Sequence, residues 1–137
     1  MDIIHPPEWA RLPGYSHGVS ARGRTIYLAG QVAVPGKLGW QPDNTELVAP
    51  DFVAQFRQVL ENITALLAQA GAGPEHLVKL TWFITDKEVY FASLKALGAV
   101  YREVIGRHFP AMSVIEVRGL VQPGAMIEIE ATAVVPD

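Results

Sequence analysis

The sequence predicts an α+β fold in which one face of a mixed sheet is covered by two helices. Two segments repeat apolar residues at three- and four-residue spacing, and the segments around them are alternating or β-branched. A helix buries one stripe and a sheet buries one face, so the two must pack against each other. The predicted order is β-β-α-β-α-β-β. The length of 137 residues predicts a single domain, 1–137, with residues 1–16 as an extended arm.

Two helices are predicted from the apolar spacing. The first covers 51–70, with Asp51 as its N-cap and a Gly-Ala-Gly-Pro segment after its end. The second covers 86–106, and its buried side is predicted to hold Tyr90, Leu94, Leu97, Tyr101, Val104 and Ile105. Gly98 lies inside the second helix, where it costs about 1 kcal/mol relative to Ala. Close backbone packing at this position would explain that glycine.

The strands are predicted at 25–34, 77–85, 113–118 and 126–134, and 35–50 reads as a loop. Residues 17–21 form a further candidate strand, which would pair with the strand at 25–34 across the turn at 22–24. The helices can cover only one face of this sheet. The other face is predicted to carry Glu116, Glu128 and Glu130, with Val114 and Val134 among them. Such a half-polar face suits contact with a partner subunit.

The composition excludes several classes of function. Zero Cys removes disulfides, thiolate nucleophiles and Cys-ligated metal sites. A formal net charge of −3 gives no general attraction to nucleic acid or to an anionic membrane. Apolar runs are too short to span a membrane, and the first residues do not resemble a signal peptide, so cytoplasm is expected. A hydrophobic fraction of 50% with only 18% charged residues favours self-association.

Spacing alone identifies no reaction. Residues 14–18 match the G-x-S-x-G pattern, but a strand must precede that serine and a helix must follow it, and here neither does. The four His residues are not at metal-ligand spacing, so no metal is expected, and no cofactor motif is present. Glu128 and Glu130 share one face of a strand, where a solvated edge is a simpler explanation than acid–base catalysis.

Several segments taken together resemble the RidA/YjgF family. They are 14–19, 28–31, 58–62, Lys79-Leu80-Thr81-Trp82-Phe83-Ile84-Thr85-Asp86, Phe109-Pro110-Ala111-Met112-Ser113-Val114-Ile115-Glu116-Val117 and Ile127-Glu128-Ile129-Glu130-Ala131. The resemblance covers nearly the whole chain. It implies a chorismate-mutase-like fold and a homotrimer whose sheets face inward, with small-molecule pockets at the subunit interfaces. No cofactor is implied.

The resemblance also implies an activity, the hydrolysis of enamines and imines such as 2-aminoacrylate. In the family, a Tyr, a Gly-Gln turn and a C-terminal Glu line the pocket, and they match Tyr15, Gly30, Gln31 and Glu130. Glu130 would orient the attacking water. The deaminating branch has Pro-Ala-Arg-Ser, and its Arg forks onto the substrate carboxylate. Here Met112 replaces that Arg, next to Ser113, which we include among the ligand-binding candidates.

Three functional hypotheses follow from this departure. The first is a RidA-like homotrimer that binds a small metabolite in inter-subunit clefts, with imine deaminase activity absent or weak because Met112 removes the carboxylate partner. Arg107 or His108 of a neighbouring subunit could replace the missing cation. The second is hydrolysis of a neutral imine or enamine. The third, endoribonuclease activity, has less support because the chain lacks a basic stripe.

Overall fold

The fold is an α+β layer structure, as the sequence predicts. In the computed structural model, residues 1–11, 13–39 and 50–137 are described. The elements are β1 (Asp2–Ile4), β2 (Gly18–Ser20), β3 (Arg24–Gln31), α1 (Phe52–Gln69), β4 (Leu77–Ile84), α2 (Lys87–Ala92), α3 (Leu94–Val104), β5 (Ala111–Glu116) and β6 (Ile127–Val135). The main sheet has the order β3-β6-β4-β5, and only the β4–β5 pair is parallel. Within the described ranges, no helix has both the length and the apolar character needed to cross a membrane.

Helix α1 forms where its apolar stripe and its end signals predict it. The Asp51 carboxylate accepts a 2.9 Å hydrogen bond from the backbone N–H of Ala54, which caps the first turn. Gly71 adopts a φ of +74° just past the last turn, a conformation that favours glycine. The buried side chains of α1 are Phe52, Gln55, Phe56, Val59, Leu60, Asn62, Ile63 and Leu67. They cover the inner face of the sheet.

The second predicted helix is in fact two helices, α2 and α3. The chain tightens at Ser93, whose backbone N–H donates to the carbonyl of Tyr90, three residues back. This tighter bond, in place of the usual bond to the residue four back, ends α2 at Ala92, and α3 begins at Leu94. Asp86 caps α2 as expected, with one carboxylate oxygen accepting from the N–H groups of Glu88 and Val89. Leu94, predicted to be buried, is half exposed, whereas Val100 is buried.

The core lies between the helices and the inner face of the sheet. Alternate residues of β4 point toward it, namely Leu80, Trp82 and Ile84. Their paired neighbours on β6 are Ala131, Ile129 and Ile127, all buried. These positions on β4 and β6 pack against the apolar stripe of α1.

The prediction for the faces of β5 was wrong. Met112 pairs with Leu80 and Val114 pairs with Trp82, so Met112 and Val114 lie on the helix side of the sheet. Glu116 is also on that side, where its carboxylate accepts a 2.8 Å hydrogen bond from the N–H of Lys87. The alternation of residues along β5 divides its side chains between the two faces of the sheet. Only the register with β4 decides which of these side chains point toward the helices.

The predicted hairpin between 17–21 and β3 does not form. Strand β2 pairs with β1 instead, so the arm contains a strand of its own. Ser16 holds the chain beside β5, at the opposite edge of the sheet from β3, by a parallel bridge to Ala111. The residues between Ser16 and β3 therefore carry the chain from the β5 edge of the sheet to the β3 edge. Of the predicted loop 35–50, residues 36–38 form a short 3-10 turn, and 40–49 lie outside the described residues.

Candidate functional site

A cavity of about 740 Å³ opens between the helices and the β5 edge of the sheet. Its wall is mainly aromatic and aliphatic, and it is closed on one side by residues 13–15 of the arm. The lining side chains include Tyr15, Trp82, Tyr90, Leu94, Leu97, Tyr101, Phe109, Met112 and Val114, together with Gly98 and Arg102. Ligand pockets are typically of this size and this apolar character.

Two of the lining aromatics form a fixed stack. The rings of Tyr101 and Phe109 lie 5.5 Å apart and nearly parallel. The Tyr101 hydroxyl donates a 2.6 Å hydrogen bond to the carbonyl of His108, and burial raises the pKa of Tyr101. The phenol therefore stays neutral and acts as a rigid wall of the cavity.

The arm places Tyr15 at the cavity through its neighbour Ser16. The Ser16 hydroxyl donates to the carbonyl of Phe109, and its backbone N–H donates to that of Pro110. Ser16 is thus an anchor for the arm, and its bonds give it no base that could activate it as a nucleophile. Tyr15 and Tyr90 both line the cavity, where burial, and secondly the Tyr15 phenol, raise the pKa of Tyr90.

Met112 and Trp82 form the sheet side of the cavity. Met112 is partly buried and packs against the hydrophobic core. Trp82 is buried between Phe56, at 4.8 Å between ring centroids, and Tyr90, at 6.2 Å. Its Nε1 has no hydrogen-bond partner among the described residues, which costs free energy in an apolar wall. A carboxylate placed beside these side chains would meet no cation on the sheet side.

Sequence reasoning missed Arg102 and misread Gly98, which both line the cavity from α3. Arg102 makes no ion pair with any described residue. A Cβ built on Gly98 would meet no atom within 4 Å, so close backbone packing does not explain this glycine. The signal was present in the sequence, because 94, 98 and 102 recur every four residues and share one helix face.

Gly30, Ser113 and Glu130 lie on the opposite face of the sheet, whereas Gln31 pairs with the buried Ile129. On that opposite face, the Ser113 hydroxyl accepts a 3.1 Å hydrogen bond from the Lys79 ammonium. Glu130 is exposed on the same face, and the pairing of β3 with β6 is interrupted opposite it, between Leu28 and Gln31. The Gln31 amide donates to the carbonyl of Ala29 at this irregularity. Tyr15 and Met112 therefore share one site within the chain, whereas Ser113 and Glu130 belong to another surface.

Glu128 adds a second carboxylate to that opposite face. Its carboxyl group packs against Gly30, where a Cβ would lie 2.5 Å from one carboxylate oxygen. Partial burial, and secondly the nearby charge of Glu130, raise the pKa of Glu128. Two neighbouring carboxyl groups, one of them with a raised pKa, form an arrangement suited to acid–base chemistry.

Arg107 and His108 are the two residues that could replace the missing cation near Met112 from a neighbouring subunit, and they are not equally free to do so. The His108 ring is held within its own chain, since its Nε2 lies 2.6 Å from the carbonyl of Leu77. Arg107 is exposed just beyond the end of α3. Among the described residues, no three His, Asp or Glu side chains come together as a candidate metal site.

The fold and the cavity define an α+β domain with a ligand-sized pocket between its helices and one edge of its sheet. The chain belongs to the family described as Endoribonuclease L-PSP, whose model matches residues 8–135. This confirms the resemblance to RidA/YjgF. A Rid-family protein of unknown function from Yersinia pestis, YyfB, is 36% identical, and its crystal structure superposes with a TM-score of 0.81 over 98% of each chain.

Two curated relatives show how the family is described elsewhere. A RutC family protein of Pyrococcus horikoshii is 35% identical over 119 residues, 87% of this chain and 85% of the relative. The human 2-iminobutanoate/2-iminopropanoate deaminase is 30% identical over 129 residues, 91% of this chain and 85% of the relative. Enzymes named as imine deaminases are therefore among the relatives of this chain.

Proposed function

We propose that this protein is a RidA-like homotrimer that binds a small metabolite in clefts between subunits, with little or no deaminase activity on 2-aminoacrylate. The observation that carries the proposal is the environment of Met112. Its side chain lines an apolar cavity at the position where the family's Pro-Ala-Arg-Ser pattern has Arg. A thioether offers soft apolar surface but no charge. A desolvated carboxylate beside it would lack its cationic partner.

The division of the site residues between two faces supports the trimer. Tyr15 and Met112 line the cavity, whereas Glu130 lies on the other side of the sheet. A cleft that uses all three needs the cavity edge of one copy and the sheet face of another. That face also carries exposed apolar side chains, with Tyr27 at 81% and Ile115 at 44% exposure, which favours its burial by a partner copy.

The test generates 2-aminoacrylate in situ and follows pyruvate formation. We expect the wild-type protein to be at least roughly ten-fold slower than the human deaminase, because a bidentate Arg–carboxylate contact contributes about 1.5–3 kcal/mol. Met112→Arg should raise the rate by a similar factor, and Met112→Leu, the matched apolar control, should not. A wild-type rate equal to that of the human deaminase would overturn the proposal.

A second candidate function is hydrolysis of an uncharged imine or enamine. It is favoured by Glu128 and Glu130, where one carboxyl group with a raised pKa lies close to another. In this mechanism, Glu130 orients the attacking water, and the apolar cavity accepts a substrate without a carboxylate. The same assay with a neutral imine separates the two functions, since turnover that is lost in Glu130→Gln identifies the hydrolase. RNA cleavage has less support because the net charge is −3.

A further inference from the structure

The cavity beside Met112 is much larger than a three-carbon imino acid requires. Its volume of about 740 Å³ falls within the range of pockets that hold drug-sized ligands. Five aromatic side chains surround it, and two of them, Tyr101 and Phe109, are stacked and immobilised. Flat aromatic walls favour a flat apolar ligand, since offset and edge-to-face contacts between rings add to the burial of apolar area.

Gly98 keeps this volume open. The middle of a helix is an unfavourable place for glycine, and here no neighbouring atom requires the missing side chain. Any larger residue at position 98 would project into the space between Leu94 and Arg102, which line the same cavity. Gly98 therefore determines the size of the ligand that the cavity admits.

Arg102 supplies the charge that the sheet side lacks. It lines the cavity from α3, is exposed, and has no ion-pair partner among the described residues. An exposed guanidinium at the edge of an apolar pocket can form a forked pair with a carboxylate that stays near water. A ligand's carboxylate would therefore bind on α3, at the edge of the cavity, and not beside position 112 on the sheet.

We propose that the cavity binds an aromatic monocarboxylate, with its rings between Trp82, Tyr101 and Phe109 and its carboxylate on Arg102, and that Gly98 sets the permitted size. The inference rests on the proposed binding function and specifies its ligand class. A planar ligand suits the aromatic wall, and Arg102 is the one cation among the described residues that line the cavity, which suits a ligand with one anionic group.

The experiment measures binding of 2-naphthoate to the full-length protein by isothermal titration calorimetry. We expect 2-naphthoate to bind at least roughly ten-fold more tightly than propanoate, because it buries additional apolar area. The neutral isostere 2-naphthalenemethanol should bind roughly ten-fold more weakly than 2-naphthoate to the wild-type protein. Arg102→Gln should remove that difference, whereas Arg22→Gln, at an exposed arginine outside the cavity, should retain it.

Steric variants test the role of Gly98. Gly98→Leu should weaken 2-naphthoate binding by more than roughly ten-fold, because its side chain occupies the cavity. Ala99→Leu adds a leucine at the next, exposed position of α3 and should not weaken it. Should Gly98→Leu fail to fold, Arg102→Gln and the neutral isostere still decide the question.

The outcomes separate this inference from the binding function on which it rests. Binding of propanoate without tighter binding of 2-naphthoate would overturn the aromatic ligand class and leave the small-metabolite function intact. Absence of binding by either carboxylate would overturn this ligand class, and binding of 2-naphthalenemethanol in that case would leave the small-metabolite function intact. Binding of 2-naphthoate that is unchanged in Gly98→Leu and in Arg102→Gln would place the ligand elsewhere and overturn the assignment of this cavity.

Discussion

Gly98 shows how the same residue can have opposite explanations in sequence and in structure. A glycine inside a helix usually indicates that another backbone comes close, and this was the expectation for α3. The structure instead places open space at the position of its Cβ. Gly98 therefore destabilises α3 by about 1 kcal/mol relative to Ala, and no packing contact offsets this cost. What the glycine provides is cavity volume.

Replacing Gly98 with Ala should stabilise the protein. We expect the free energy of unfolding in urea to rise by about 0.5–1 kcal/mol, because Ala restricts the unfolded chain and meets no obstacle in the folded one. Gly71→Ala is the matched control, and it should lower stability by about 1 kcal/mol, since φ is +74° there. Equal effects of both substitutions would contradict the assignment of open space at Gly98.

At the scale of elements, α1 holds the chain that follows β3 against the core. Asn62 is buried, and its amide donates to the carbonyls of Val32, at 3.2 Å, and Val34, at 2.9 Å. The Gln58 amide in turn donates to the Asn62 carbonyl oxygen. One helix side chain thus satisfies two backbone acceptors of a segment that has left the sheet.

Removal of the Asn62 amide should destabilise the fold. Asn62→Ala leaves two backbone carbonyls without their donor, and we expect a loss of about 1–3 kcal/mol in the free energy of unfolding by urea. Gln58→Ala removes only the outer hydrogen bond and should cost less. If the two variants lose the same stability, Asn62 does not hold this segment in the way its hydrogen bonds indicate.

Elements that are defined by local patterns were predictable from the sequence. Helix α1 and strand β4 were found within a residue or two, because periodicity and end signals are encoded in neighbouring residues. The sequence did not predict that β2 pairs with β1, nor which side chains of β5 point toward the helices, because each is decided by contacts between residues distant in sequence. The cavity residues Tyr15 and Met112 came from family resemblance. The spacing of 94, 98 and 102 places Arg102 on one helix face with Gly98, but that this face lines a cavity follows only from the position of α3 relative to β5.

For the whole molecule, the main question is what covers the face of the sheet opposite the helices. Tyr27, Ile115 and the two carboxylates Glu128 and Glu130 are all on this face of the described chain. Tyr27 and Ile115 are large apolar side chains that this face leaves exposed, which favours contact with another copy of the chain. This face is also the surface that the proposed trimer would bury.

A charge introduced on this face should disrupt the trimer. We expect native mass spectrometry to show a trimer for the wild-type protein and mainly monomer for Ile115→Asp, because an unpaired buried charge opposes association. Leu66→Asp is the matched control on an exposed position of α1, and it should remain trimeric. A wild-type monomer would contradict the proposed assembly.

The attachment of the arm at Ser16 has a consequence for the timing of ligand exchange. The hydroxyl of Ser16 reaches the carbonyl of Phe109, 93 residues further along the chain, so this wall can close only after β5 has joined the sheet. Short, locally held segments open more often than the core. The rate at which a ligand enters and leaves would then follow the opening of the arm, while the rest of the domain stays folded.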